Sequence, residues 1–474
     1  MLMRLIYDES LAQGAYLIGC QKTGEAIIID PERDIDRYIA LAQKHGLTIV
    51  AATETHMHAD FLSGVREFCE QTDAKAYLSD EGGQDWDYVW VRGTDSKGQP
   101  YNHQLVKDGD VIMIGNIQIR ILHTPGHTAE HICFEITDQG GGADAPMGIV
   151  TGDFIFVGDV GRPDLLESAA GMVGVMEPSA RRLGESLRQF SAQPDYLQIW
   201  PGHGSGSVCG KALGAVFQTT VGYERRFNEA FKQAADADAF VESILSGQPE
   251  PPYYFARMKR DNRQGPPILG ALPMPSNCSV SGIPADAAII DTRPWDEFRR
   301  GHLPGSYSIV LEQFFSTVAG AFIEHDQKIV LIAEACDVEQ AVRMLVRIGL
   351  DRVVGWVDPS EVAGVDELLV ADEVDVATVK GMDGAVILDV RNSSEFDEGH
   401  IPGAIQVPYL QLNKRLDEVP MGSPIFVHCK TGFRSARAVS YLNKQGFNAM
   451  NVAGGFMAWE EAGYPTEKPE SVCR

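Results

Sequence analysis

A chain of 474 residues exceeds what one hydrophobic core can serve, so two to four domains are expected, each long enough to bury a core of its own. Sixty-six acidic against 40 basic side chains, a formal charge of -26 and a pI near 4.8 argue against a phosphate-backbone partner or an anionic membrane surface. No run of about 18 apolar residues occurs, and Met1 to Asp8 lacks a signal-like apolar core, so the expectation is a soluble cytoplasmic protein with no nucleic acid or membrane partner. The eight cysteines (20, 69, 133, 209, 278, 336, 429 and 473) form no CxxC pair, which suggests free thiols and not a disulfide framework.

In chain order, Ala26 to Asp30 reads as a strand. A helix follows, from the recurrence of Ile35, Tyr38, Ile39 and Ala42, and Gly46 terminates it. The β-branched segment Leu47 to Thr53 is the next strand, and it runs into Thr55-His56-Met57-His58-Ala59-Asp60-Phe61. Adjacent imidazoles and a carboxylate at a strand end need partners, and a metal ion is the chemistry that supplies one. Val111 to Ile114, a Gly115-Asn116 turn and Ile117 to Leu122 form a hairpin leading into His123-Thr124-Pro125-Gly126-His127. Gly148 to Thr151 delivers Gly152-Asp153, and Tyr196 to Trp200 delivers Pro201-Gly202-His203-Gly204, so four strand ends carry metal-type side chains. His123 and His131 read as hydrogen-bonded neighbours of the second motif.

From about residue 245 the composition shifts to Pro, Gly and basic residues, the signature of a linker. Beyond it, Asp291 to Gly305 and Asp389 to Gly403 match at eight of fifteen positions at a spacing of 98 residues, a domain duplication and not a solenoid period. Each copy continues with a strand, Lys328 to Ala333 and Pro424 to His428, and then a helix-forming stretch.

The ordered set HMHAD, PGH, TGD and PGHG, over residues 1–245, resembles the metallo-β-lactamase fold hydrolases and oxygenases, which implies an αβ/βα sandwich with these loops gathered at one edge. In the two-metal hydrolases of that superfamily a histidine follows the Asp of the first motif. Here the position is Phe61, and a phenyl ring cannot coordinate, so a two-metal hydrolytic clamp is disfavoured. What remains is similar to the persulfide dioxygenase branch. That resemblance implies one Fe(II) per chain held by His56, His127 and Asp153, with His58, Asp60 and His203 orienting ligands or water; ligand identity alone also admits zinc. Arg162 matches the position that holds an anionic thiol substrate in this branch, with a surface ion pair as its other reading.

The repeated DxR and GHxPG pattern resembles the rhodanese domain, an α/β fold with a parallel sheet. The implied arrangement is a first domain at 1–245, a linker at 246–274, a copy without activity at 275–370 and an active copy at 371–474. In the second copy a strand delivers Cys429 to Lys430, Thr431, Gly432, Phe433 and Arg434 at the start of a helix, where backbone N–H groups and the helix N-terminus favour a thiolate or persulfide anion. Only four residues separate Cys429 from Arg434, a smaller ring than a tyrosine-phosphatase-like loop needs. Asp389, Arg391 and His400 read as contacts that hold the fold. In the first copy, matching Leu331-Ile332-Ala333 to Phe426-Val427-His428 puts Glu334 opposite Cys429 and Glu339 opposite Arg434. Cys209, six residues after His203, reads either as a sulfur relay near the metal, a pattern shared with fusions of these two families, or as a packed thiol.

Together the resemblances imply a bifunctional persulfide dioxygenase and sulfurtransferase acting in sulfide detoxification. Its partners would be a low-molecular-weight persulfide (of glutathione, coenzyme A or bacillithiol) or a protein persulfide donor, with dioxygen and sulfite, in a homo-oligomer. The alternative is a glyoxalase II-like zinc thioester hydrolase with an accessory rhodanese.

Overall fold

A computed structural model describes residues 1–168, 174–211, 213–382 and 384–468; Cys473 lies outside them. The chain forms two compact units, Met1–Leu272 with Val346–Ile348, and Pro273–Leu345 with Gly349–Arg474. Among the described residues no helix is long and apolar enough to cross a membrane.

The first unit holds two six-stranded sheets. One runs in sequence order: β1 (Leu2–Asp8), β2 (Gln13–Cys20), β3 (Glu25–Ile29), β4 (Thr48–Thr53), β5 (Lys75–Ser79) and β6 (His103–Val106). Its first three strands are antiparallel, and β3 to β6 are parallel. The other contains β7 (Val111–Ile114), β8 (Ile117–His123), β9 (Ile132–Asp138), β10 (Gly148–Gly152), β11 (Gln198–Pro201) and β12 (Thr219–Thr220), again in sequence order. The β7–β8 hairpin turns at Gly115-Asn116 as expected, with Ile114 opposite Ile117.

Alternating Ile and Val side chains decide which faces meet. Ile18, Ile27 and Ile29 of the first sheet pack with Ile119, Ile121, Phe134 and Val150 of the second in one core cluster. Helices cover both outer faces. Tyr38, Ala42, Val65 and Phe68 close the first, and Ala180, Leu183 and Leu187 of helix Met176–Phe190 close the second together with Phe240 and Ile244. Their three-and-four spacing puts them on one face of the helix, and each fully buried leucine contributes about 1.5–3 kcal/mol. The result is the four-layer αβ/βα sandwich.

The stretch read as a linker carries a helix, Phe255–Gln264, whose Phe255, Met258 and Asn262 are buried. Asn262 is its anchor: Nδ2 donates to the carbonyls of His58 and Phe61 at 2.8 Å, and Oδ1 accepts from Ser63 N at 2.8 Å. No hydrophobic period of the sequence signals that role, because a single amide ties the helix to the His58–Phe61 loop.

The second unit contains two parallel sheets. The first copy orders its strands β14-β13-β15-β16, with β13 Ala288–Asp291, β14 Ser306–Ser308, β15 Ile329–Ile332 and β16 Val353–Val357. The second orders them β17-β21-β20-β18-β19, with β17 Glu373–Val374, β18 Val386–Asp389, β19 Ile405–Gln406, β20 Pro424–His428 and β21 Asn448–Val452. Central strands are buried on both faces, which is why they read as continuous apolar runs such as Ile329 to Ile332.

Candidate functional site

The four motifs of the first unit sit immediately after β4, β8, β10 and β11, so the sheet edges bring His56, His127, Asp153 and His203 together. Gly152 permits the tight turn into Asp153: its φ is +49°, and a Cβ there would strike the Thr55 side chain.

His56, His127 and Asp153 are buried, and one potential ligand atom of each lies within 4.8 Å of the other two. Nε2 of His127 is 3.6 Å and Nε2 of His56 is 3.9 Å from Asp153 Oδ2, an oxygen with no hydrogen-bond partner. His127 Nδ1 donates to the Arg162 carbonyl at 2.9 Å, which leaves Nε2 with its lone pair free. His56 Nδ1 lies 3.0 Å from Thr55 Oγ1. Burial, with the neighbouring imidazoles, holds the protonation of His56 well below the ordinary histidine range, and burial lowers that of His127. Two neutral imidazoles, an ionised carboxylate and an orphaned oxygen fit a divalent cation.

The neighbours are tied to one another instead. His203 bridges two carboxylates, Nδ1 to Asp153 Oδ1 at 2.7 Å and Nε2 to Asp60 Oδ2 at 2.8 Å. Burial disfavours its charge, but Asp153 and Asp60 outweigh that and raise its protonation well above the usual range, so the ring is an imidazolium. Burial alone would push the Asp153 carboxyl up, yet His203 and the other imidazoles hold it far below the ordinary range. Cys209 is buried, with a candidate ligand atom grouped with those of Asp60 and His203 within 4.8 Å, and burial, Asp60 and Asp153 keep its thiol protonated. Phe61 packs against His58 with ring centroids 4.2 Å apart and the planes tilted by 30°.

His58 Nε2 donates to Asp30 Oδ1 at 3.0 Å, and the same carboxylate accepts from Thr55 N and Thr55 Oγ1. Asp30 thereby orients the threonine beside His56. The sequence reading missed it; the available signal was an aspartate ending an apolar strand, where it adopts a left-handed φ of +54°. His123 and His131 bond to the Ala129 carbonyl and to Thr124 Oγ1, both at 2.9 Å. Arg162 is 1 % exposed, with its guanidinium on both Asp164 oxygens at 2.9 and 2.6 Å and on the Val208 carbonyl at 3.1 Å. Its ion pair is therefore buried, and its carbonyl is what orients His127.

In the second copy Cys429 follows β20 directly and is buried. Gly432, at φ +97°, turns its N–H onto Cys429 Sγ at 3.2 Å, and Ser435 Oγ lies 3.6 Å away. Arg434 does not bond the sulfur; it makes a two-pronged pair with Glu395 at 2.6 and 2.7 Å. Glu395, a partner the sequence reading missed, also accepts from Asn392 N at the start of its helix. Phe433 is exposed beside the loop, and Thr431, Gly432 and Phe433 line a cavity of about 420 Å³. Lys430 is exposed.

Sheet register corrects the alignment of the first copy. Asp291 pairs with Ile332 as Asp389 pairs with His428, and Thr292 N donates to the Ile332 carbonyl as Val390 N does to that of His428. Ala333, not Glu334, thus stands where Cys429 stands, and Val338 opens the next helix five residues later instead of four. The position still carries no thiol.

A model of the metallo-beta-lactamase superfamily matches residues 11–203, and a model of the rhodanese-like domain matches 281–359 and 375–462. A crystal structure of a metallo-beta-lactamase from Staphylococcus aureus is 40% identical, covering 75% of this chain and 99% of that one with a TM-score of 0.67. A sulfurtransferase of Allochromatium vinosum is 35% identical over 18% of this chain and 80% of its own length. A hydroxyacylglutathione hydrolase of Polaromonas is 31% identical over 40% of this chain and 60% of its own. The chain belongs to the metallo-beta-lactamase superfamily, with two rhodanese-like domains following that fold.

Proposed function

We propose that the chain is a bifunctional enzyme of sulfur metabolism: a non-heme iron persulfide dioxygenase in its first unit and a sulfurtransferase at Cys429 in its second. The observation that carries the reading is how donor atoms are spent in the first unit. Nε2 of His56, Nε2 of His127 and Oδ2 of Asp153 keep free lone pairs, whereas Asp60, His203 and Asp153 Oδ1 satisfy one another through the imidazolium. That supports one cation with open positions and not a two-metal clamp, in agreement with Phe61.

When bound, Fe(II) would supply dioxygen activation beside a substrate sulfur. The chain's residues do the rest. The Arg162 carbonyl holds the His127 tautomer, Asp30 and Thr55 orient His56, and the buried His203 keeps its proton between Asp60 and Asp153. The overall reaction is RSSH + O2 + H2O giving RSH + sulfite + 2 H⁺. At Cys429 the thiolate attacks the outer sulfur of a second persulfide and releases RSH. Sulfite then takes that sulfur as thiosulfate and returns the thiolate. Fusion keeps the first site's product near the second site's acceptor chemistry. Glutathione, coenzyme A and bacillithiol persulfides are the candidate donors, with a protein persulfide as the macromolecular one; the enzyme is proposed to act in the cytoplasm as a homo-oligomer.

Metal analysis of anaerobically purified protein and an oxygen electrode with glutathione persulfide test the first half: iron near one per chain and oxygen uptake are expected. Zinc with no uptake, together with hydrolysis of an acylglutathione, would establish the hydrolase alternative. Cys429→Ser should shift the product from thiosulfate to sulfite, and an unchanged thiosulfate yield refutes the second half.

A further inference from the structure

The role of the first copy, which has no thiol at the position of Cys429, is written in one hydrogen-bond chain of the second unit. Ser435 Oγ lies 2.7 Å from Asn451 Oδ1 and 3.6 Å from Cys429 Sγ, and a hydroxyl has a single proton to give. Which neighbour receives it depends on how the Asn451 amide faces. Asn451 Nδ2 lies 2.8 Å from Glu373 Oε2, and a carboxylate only accepts, so the amide must present N–H to Glu373 and its oxygen to Ser435. Glu373 Oε2 also accepts from Trp295 Nε1 of the first copy at 2.9 Å. Trp295, Glu373, Asn451 and Gly432 line the same cavity.

We propose that Trp295 is a positioning residue for the Cys429 loop: through Glu373 and Asn451 it holds the Ser435 proton off the sulfur. The inference rests on Cys429 being the nucleophile. With the proton withheld, the sulfur keeps the Gly432 N–H as its close donor and stays strongly nucleophilic for the loading step. In that step Sγ bonds to the outer sulfur of RSSH, the S–S bond of RSSH breaks, and RS⁻ takes the proton that outer sulfur carried to leave as RSH, with Cys429 left as Cys-S-S⁻. In the second step sulfite bonds to that outer sulfur and Sγ leaves as thiolate; a hydroxyl donating to Sγ would ease this step while slowing the first. Charged or titratable groups near the sulfur include Arg434 with its partner Glu395, Tyr409 and His428, and Arg299 faces Glu373 at 3.8 Å.

The test uses the full-length protein and mass-spectrometric alkylation of Cys429 by iodoacetamide across pH, with single-turnover loading from glutathione persulfide and release to sulfite. Glu373→Ala frees the amide to flip. The alkylation profile should move to lower pH by about half to one unit, and loading measured above its midpoint, where Cys429 is fully thiolate, should slow about two- to three-fold without slower release. Trp295→Phe should give a smaller change of the same sign, and Glu373→Gln, which can offer an oxygen to both donors, should restore the wild-type profile. In a Ser435→Ala background, Glu373→Ala should move nothing further. An unmoved profile in Glu373→Ala, or an equal shift with and without Ser435, overturns the proposal. Sulfur transfer that survives Cys429→Ser overturns the underlying assignment of the nucleophile instead.

Discussion

The two copies in the second unit share their scaffold contacts almost atom for atom and differ where sulfur chemistry is proposed. Arg293 forks onto Asp291 and donates to the Gly301 carbonyl at 3.0 Å; Arg391 forks onto Asp389 and donates to the Gly399 carbonyl at 2.8 Å. His302 stacks on Phe298 at 4.0 Å, and His400 on Phe396 at 3.7 Å. After the strand the copies part. One continues Cys429-Lys430-Thr431-Gly432, with a backbone N–H aimed at the sulfur, and the other Ala333-Glu334-Ala335-Cys336-Asp337, with two carboxylates and no glycine. The repeated motif therefore reports the fold, and the loop after the strand reports the chemistry.

The largest expected effect breaks that comparison at its loop. Cys429→Ser should lower sulfurtransferase turnover by at least about 1,000-fold, since it removes the atom that forms the bond. Adding Ala333→Cys to that variant should restore none of it. A thiol there gains no glycine N–H and enters a loop that carries Glu334 and Asp337, where the carboxylate of Asp337 already raises the protonation of Cys336. Restored turnover in the double variant would show that strand position alone makes a sulfurtransferase. A smaller effect tests the shared half. Arg391→Ala strands the fully buried Asp389 and gives up contact with the Phe456 ring, so it should cost about 3–5 kcal/mol; Arg293→Ala should cost nearly as much. Urea unfolding of both variants measures this, and a cost confined to the second copy would show that the motif carries stability only where it supports the thiol.

The strands, the hairpin and the convergence of four motifs were legible because apolar periodicity places strands and ligand-type residues have no reason to end them without a partner. Register was less so. The run Ile329 to Ala333 is apolar throughout and reads equally well one residue either way, so only its pairing with Asp291 exposes Ala333 as the counterpart of Cys429. Asp30 and Asn262 were illegible for another reason. Each acts across a long sequence separation, through a left-handed backbone in one case and a single amide in the other, and neither leaves a period to detect. Arg434 was found, but its partner was not. The capping position of Glu395 is local, whereas its pair with Arg434 spans 39 residues.

That pair supplies the smallest contrast between the copies. Burial would raise the Glu395 carboxyl, but Arg434 and the Asn392 N–H lower it below its ordinary value. A depressed folded value means stability that is fully present above the unfolded range near pH 4.5 and is lost as pH falls through the folded value. Glu297, at the matching position of the first copy, has no such arginine ahead of it, because that copy's helix opens Val338-Glu339 and first reaches an arginine at Arg343. Glu395→Gln should therefore lower stability by about 1 kcal/mol or less at pH 7 and less still at pH 3, whereas Glu297→Gln breaks no pair of the kind Glu395 makes with Arg434. Urea midpoints at the two pH values measure the difference. An equal pH response from both variants would mean that Arg434 is held for the sulfur loop alone and adds nothing to the fold.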